Sequence, residues 1–246
     1  MGSLDDKTAL VTGGSRGIGA AIAAKLAAEG ARVVLTYNTS PGKANAVVGR
    51  IVAEGGTAIA VPAAMEDPQQ VEAAVTTTVE TFGGIDILVN NAGIFPYGLI
   101  DELTLADYEH TMAVHARAAF AAVLAAVPHL GKGGRIISIG SNLAERVSGP
   151  GISLYAMTKS ALVGFTRGIA HDLGPRGITA VVVHPGSTDT DMNPADSAGA
   201  DQQRALTALG HYGTTDDIAA TVAHLAGPAG AYITGTTITV DGGVNA

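Results

Sequence analysis

The chain has no cysteine among its 246 residues, so disulfides, thiolate–zinc sites and a cysteine nucleophile are all excluded. That absence leaves the redox compartment open. Aromatic residues are scarce, at 4% of a composition that is 47% hydrophobic. Packing therefore falls to alanine, valine and glycine, as expected where helices lie close on a sheet. Basic residues are outnumbered. The 14 Lys and Arg against 22 Asp and Glu give a net charge of −8, which argues against general nucleic-acid binding. No uninterrupted apolar run reaches the ~18 residues that span a bilayer. The opening MGSLDDKTALVTGG lacks the basic segment and long apolar stretch of a secretory signal. The expectation is a cytoplasmic protein with neither membrane nor nucleic acid as partner.

Short β-rich runs alternate with helical stretches. Strands are expected over residues 8–12, 32–36, 57–61, 85–90, 135–139, 178–184 and 237–240. Helices are expected over 18–29, 41–54, 67–82, 105–127, 155–173 and 216–225. In the first helix Ile18, Ile22 and Leu26 recur every four residues and form one apolar stripe. Asp67 is placed to cap the third helix, with Pro68 at its first position. The strands are too apolar to face water on either side, which predicts a parallel sheet covered by helices on both faces. The fold class is α/β: one doubly wound domain over 1–246 with seven parallel strands. Residues 187–213 form the one long stretch without a clear sheet role, and such excursions often serve as lids.

The first strand leads into Thr12-Gly13-Gly14-Ser15-Arg16-Gly17-Ile18-Gly19, which opens the first helix. Glycines there let the backbone turn tightly and let a phosphate approach the helix N-terminus, where free N–H groups and the dipole favour anions. Gly13, Ser15, Arg16, Gly17, Ile18 and Gly19 are thus candidate dinucleotide contacts. NAD sites usually carry an acid at the end of the second strand to hold the ribose 2′-OH. Here that tail reads Tyr37-Asn38-Thr39-Ser40, without a carboxylate. Arg16, with Asn38, Thr39 and Ser40 as donors, suits a 2′-phosphate instead, so NADP(H) is favoured over NAD(H).

Tyr155 and Lys159, in SLYAMTKSAL, are four residues apart and so leave a helix from one face. An ammonium about 4 Å from a phenolate favours it by on the order of 4 kcal/mol at an effective dielectric near ~20. That would hold the tyrosine below its ordinary pKa and let it exchange protons near neutrality. An isolated pair of this spacing is usually ornamental; its company is what matters. The strand before the long helix ends in Asn90-Asn91-Ala92-Gly93, Ser141 follows the next strand, and a later one ends in His184-Pro185-Gly186-Ser187-Thr188-Asp189-Thr190. TGGSRGIG, NNAG, the serine with YxxxK, and HPG with two threonines, in that order, resemble the short-chain dehydrogenase/reductase family. The resemblance covers essentially the whole chain and lies nearest the 3-oxoacyl-carrier-protein-reductase-like members of the shorter branch.

The resemblance implies a Rossmann fold, NADP(H) as cofactor and reversible reduction of a ketone or aldehyde. It implies that Tyr155 is the proton donor or acceptor, that Lys159 tunes it and holds the nicotinamide ribose, and that Ser141 polarises the substrate oxygen. It places Asn91, Ala92 and Gly93 near the adenosine ribose, and Pro185, Gly186, Thr188 and Thr190 near the nicotinamide. It also implies a homotetramer built on the Tyr155 helix and the YITGTTITVDGG region. Two positions depart from the family pattern. His115, in MAVHARAAF, stands where an asparagine usually supports a helix irregularity and a proton-relaying water. It is either a substitute catalytic relay or a packing residue. Ala64, in PAAMEDP, stands where an aspartate near the adenine is common, leaving backbone contacts from Ala64 and Met65. Two further readings stay open: a secondary-alcohol or polyol dehydrogenase, and an NADP(H)-binding sensor without turnover. No metal is expected, since the histidines show no H-E-x-x-H pattern. Asp189, Asp191 and Glu145 read as solvated loop carboxylates. The substrate pocket is expected among 95–99, 142–153 and 187–213, with Phe95, Tyr97, Leu99, Leu143, Ile152, Met192 and Leu206 supplying apolar walls among few charges, and Arg146 as the basic group available to a phosphopantetheine arm.

Overall fold

A computed structural model describes residues 2–246. Seven strands form one parallel sheet in the order β3-β2-β1-β4-β5-β6-β7. They are β1 (Thr8–Val11), β2 (Arg32–Tyr37), β3 (Thr57–Pro62), β4 (Ile87–Asn90), β5 (Arg135–Ile139), β6 (Thr179–Pro185) and β7 (Thr236–Val240). The helices are α1 (Gly17–Ala28), α2 (Pro41–Ala53), α3 (Pro68–Phe82), α4 (Leu105–Met112), α5 (Ala118–Ala126), α6 (Ser153–Leu173), α7 (Ala200–Leu206) and α8 (Thr215–Ala226). The chain winds outward from β1 to β3, returns to β4 beside β1, and winds the other way to β7. The crevice between β1 and β4 is therefore the topological switch point, where open α/β sheets bind ligands.

Alternate side chains along each strand enter two different cores. Ala9, Val11, Val33, Leu35, Ile87 and Val89 pack with Ile22, Leu26, Ile218 and Val222 on the α1–α8 face. Leu10, Val34, Leu88 and Ile136 pack with Val71, Val75, Val123, Ile169 and Leu173 on the α3–α5–α6 face. This period of two explains why the strands read as uninterrupted apolar runs. Of the expected stripe on α1, Ile22 and Leu26 are fully buried and Ile18 packs on the same cluster. Asp67 caps α3 as expected, accepting the Gln69 N–H at 2.9 Å with Pro68 following.

Two expectations need correction, and the stretch 187–213 gains detail. The helix foreseen over 105–127 is broken by a π-helical turn, Ala113–Arg117, between α4 and α5. Such turns insert a residue into the helical ladder and often mark functional sites. The stretch 187–213, expected to have no clear sheet role, contributes no strand; it holds α7 and an isolated parallel bridge between Thr188 and Gly213 just after the end of β6. The strand expected over 85–90 starts at Ile87, because the Asp86 carboxylate and backbone instead bond Lys7, Thr8 and Arg135. Among the described residues no helix is long and apolar enough to cross a membrane.

Candidate active site

A cavity of about 910 Å³ lies over the carboxyl ends of β1, β4, β5 and β6. At one end is the glycine turn. Gly13 holds φ +65, and a Cβ there would come within 2.8 Å of Ala92 Cα, so only glycine allows the two loops to meet. The loops are stitched together: Thr12 Oγ1 accepts the Asn91 and Ala92 N–H groups, and Asn91 Nδ2 donates to the carbonyls of Thr12 and Gly13. Arg16 sits at the N-cap of α1 without a side-chain cap bond. The first N–H groups of that helix therefore open toward the cavity, which suits an anion such as a diphosphate.

The same cavity is lined by Gly13, Ser15, Arg16, Gly17, Ile18, Gly19, Asn38, Thr39, Ser40, Met65, Asn91, Ala92 and Gly93, and by Pro185, Gly186, Thr188 and Thr190 across from them. Ala64 does not line it. Its N–H donates to Gln70 Oε1 at 2.9 Å and its carbonyl accepts the Asp67 N–H at 3.1 Å, so both backbone groups expected for a ligand are already used. Ala63 and Met65 form that wall instead. Lys43, in the first turn of α2, also lines the cavity and was not foreseen. The signal available was a lysine at a helix start, where cations are disfavoured unless an anion is near.

At the other end stand Ser141, Tyr155 and Lys159. Ser141 leaves the end of β5, and the other two project from the first turns of α6. Lys159 is buried and donates to the Ile139 carbonyl at 2.9 Å. Burial lowers its pKa to about 8. The expected depression of the tyrosine is not present: burial raises the Tyr155 phenol, and only the Ser141 side chain opposes that shift. The physical reason is that both groups are taken out of water. The ammonium lies 5.7 Å from the Tyr155 ring centroid with its charge on a carbonyl, so desolvation drives each group toward its neutral form.

His115 lies in the π-helical turn and is buried. Its Nε2 accepts the Ile94 N–H at 3.0 Å, which assigns the ring proton to Nδ1, 2.8 Å from Thr158 Oγ1. Thr158 in turn donates to the Tyr155 carbonyl at 2.9 Å. Burial, reinforced by Lys159, lowers the His115 pKa to about 3, so the ring is neutral throughout the working range. A second histidine, not foreseen, lies beneath Ser141. His184 is fully buried, its Nδ1 accepts the Ser141 N–H at 2.9 Å, and its Nε2 is 3.8 Å from Glu145 Oε1. The sequence clue was Gly140. A Cβ there would drive into the His184 ring and come within 2.8 Å of Val182 Cγ1.

The expected substrate walls are present in Phe95, Tyr97, Leu143, Ile152, Met192 and Leu206, with Val244 from the C-terminal segment added and Leu99 absent. Phe95 meets Tyr155 edge to face, with ring centroids 4.8 Å apart. Arg146 does not line the cavity; it is exposed and donates to the Val244 carbonyl at 2.8 Å.

Residues 13–245 match a family model described as enoyl-(acyl carrier protein) reductase. The chain belongs to the short-chain dehydrogenase/reductase family. A short-chain dehydrogenase from Burkholderia cenocepacia, crystallised with NADP, is 59% identical, with a TM-score of 0.98 over 99% of this chain and 100% of that one. A 3-oxoacyl-[acyl-carrier-protein] reductase of Synechocystis sp. is 40% identical over 99% of both chains. A cyclic-di-GMP-binding biofilm dispersal mediator protein of Escherichia coli is 41% identical over 100% of both. The family assignment makes the fold that of an oxidoreductase and agrees with the sheet order and the crevice at its switch point.

Proposed function

We propose that this protein is an NADPH-dependent reductase of a ketone or aldehyde, running reversibly, with Tyr155 as proton donor. The observation that carries the reading is the grouping of Ser141, Tyr155 and Lys159 at one end of a cavity whose other end is an uncapped helix start with Arg16 and Lys43. That cavity fits a phosphate-bearing dinucleotide, and the Burkholderia relative bound to NADP supports the phosphorylated form. The cofactor, when bound, supplies the hydride. The protein supplies position and the proton. Tyr155, its pKa raised, is a protonated phenol at neutral pH and can donate to an oxygen on which negative charge develops. Ser141, braced from below by His184, can donate to that same oxygen. Lys159 keeps its positive charge at pH 7 and favours the tyrosinate left behind.

His115 acts here as a positioning residue. Both ring nitrogens are engaged, so the ring ties the loop at Ile94 to the turn of α6 that carries Tyr155 and is not a free proton carrier. Among the described residues, Lys159 is the one lysine or arginine at the reacting end, and it is buried; the walls there include apolar groups and neutral polar groups such as Asn142 and Ser148. That favours a free, neutral carbonyl compound over one carried on an acidic protein through a phosphorylated arm. The protein is expected to act in the cytoplasm as a homotetramer. The exposed apolar side chains Leu105, Tyr108, Phe120, Leu124 and Met157 along α4, α5 and α6 support burial against further copies of the chain.

The test is NADPH consumption by the purified protein across a panel of neutral ketones and aldehydes. Turnover with NADPH supports the reading. Stabilisation by NADPH without turnover on any carbonyl would favour the sensor reading instead.

A further inference from the structure

Arg16 and Lys43 come from different elements, the glycine turn and the first turn of α2, yet they converge on one atom. Asp191 Oδ2 lies 2.8 Å from Lys43 Nζ and 4.0 Å from Arg16. Asp191 belongs to neither element. It sits on the excursion after β6, where a tight turn holds it: the Thr190 and Asn193 backbones bond one another, at 3.4 and 3.0 Å. All three side chains line the cavity beside Asn38, Thr39 and Ser40, where β2 ends without a carboxylate. The chain thus supplies its own anion at the point where two cations are available. Both cations also lower the Asp191 pKa, so the carboxylate is charged whenever the cofactor is present in neutral solution.

We infer that Asp191 sets the degree of preference for a phosphorylated over an unphosphorylated dinucleotide, by competing with the adenosine 2′-phosphate for Arg16 and Lys43. The inference rests on the NADP(H) reading above and adds to it a second phosphate-binding cation, Lys43, and an internal competitor. The ion pair is about half exposed on both sides, and pairs of that kind are weak. A phosphate dianion carries more charge and more acceptor oxygens than a carboxylate, so it displaces Asp191 rather than being excluded by it. What remains is a repulsion between the displaced carboxylate and the phosphate. A carboxylate displaced to about 8 Å from a phosphate dianion is repelled in water by ~1 kcal/mol, which is about fivefold in affinity. NADH shares the diphosphate but lacks the 2′-phosphate, so the part of the repulsion that depends on that phosphate is absent for it.

The experiment is to measure the Kd of NADPH and of NADH by calorimetry for the unaltered protein, Asp191→Asn and Lys43→Ala. Cofactor-free thermal unfolding confirms that these surface variants fold. Asp191→Asn is expected to tighten NADPH about fivefold, with NADH unchanged, and Lys43→Ala to weaken NADPH alone by a similar factor. If Asp191→Asn weakens both cofactors equally, the pair is a strap across the cavity mouth and the inference is wrong. If the ratio of the two Kd values does not change in either variant, it is equally wrong. If the unaltered protein binds NADH as tightly as NADPH, the cofactor reading itself fails and takes the inference with it.

Discussion

Burying Lys159 beside Tyr155 has a stability cost that can be measured. Lys159 has an ordinary pKa of 10.5, lowered to about 8 by burial. Its folded pKa lies below its unfolded one, so at pH 7 the folded state must carry a charge that the unfolded state carries more comfortably. The penalty is fully present below the folded pKa and fades as pH rises toward the unfolded one. At about 1.4 kcal/mol for each tenfold difference in proton affinity, it is about 3 kcal/mol at pH 7 and about 1 kcal/mol at pH 9.5. Lys159→Met keeps the length of the side chain and removes the charge. It also abandons the Ile139 carbonyl, losing about 1 kcal/mol of hydrogen bond. The variant should therefore be more stable than the unaltered protein by about 2 kcal/mol at pH 7, or roughly 4–8 °C in Tm. It should also be nearly inactive. Urea unfolding at pH 7 and 9.5 measures the difference, which should shrink or vanish at the higher pH. A variant no more stable at pH 7, or a difference that does not change with pH, would refute the claim that Lys159 is held charged against desolvation.

Gly140→Ala should cost about 1–3 kcal/mol by overpacking, because its Cβ meets His184 and Val182. Turnover should fall with the NADPH Kd unchanged, since the displaced strand end carries Ser141; thermal unfolding and steady-state kinetics together separate the two effects. His115→Asn should lose about 1–3 kcal/mol if the Ile94 N–H is left unpaired, while keeping comparable turnover. Because His115 is neutral above about pH 3, its replacement should leave the pH–rate profile unmoved between pH 5 and 9. Loss of an inflection in that range would show that the ring carries protons after all.

Much of this arrangement was legible in the chain because it follows from local rules. Strand apolarity gave the parallel sheet, and the glycine turn and the carboxyl ends of β4, β5 and β6 located the crevice. Less legible was anything decided by contacts between distant segments. Asp191 looked like a solvated loop carboxylate, since nothing in sequence brings it to Lys43, 148 positions away. Nor does the sequence show that the Ala64 N–H bonds the Gln70 side chain and its carbonyl the Asp67 N–H, which leaves Ala64 outside the cavity wall. The spacing of Tyr155 and Lys159 correctly put them on one face, but the sign of the tyrosine shift depends on burial, which a spacing does not report. The π-helical turn at His115 is invisible to the spacing of residues, and only the family resemblance, which places a helix irregularity there, pointed to it.

The central claim is that Tyr155 delivers the proton. Its most direct test is Tyr155→Phe, measured for both NADPH binding and carbonyl reduction on the same preparation. Phenylalanine keeps the edge-to-face packing on Phe95 and removes only the hydroxyl. The account predicts an unchanged Kd for NADPH and turnover reduced by the 10²–10⁴-fold typical of a lost general acid. Turnover within a fewfold of the unaltered protein would contradict it.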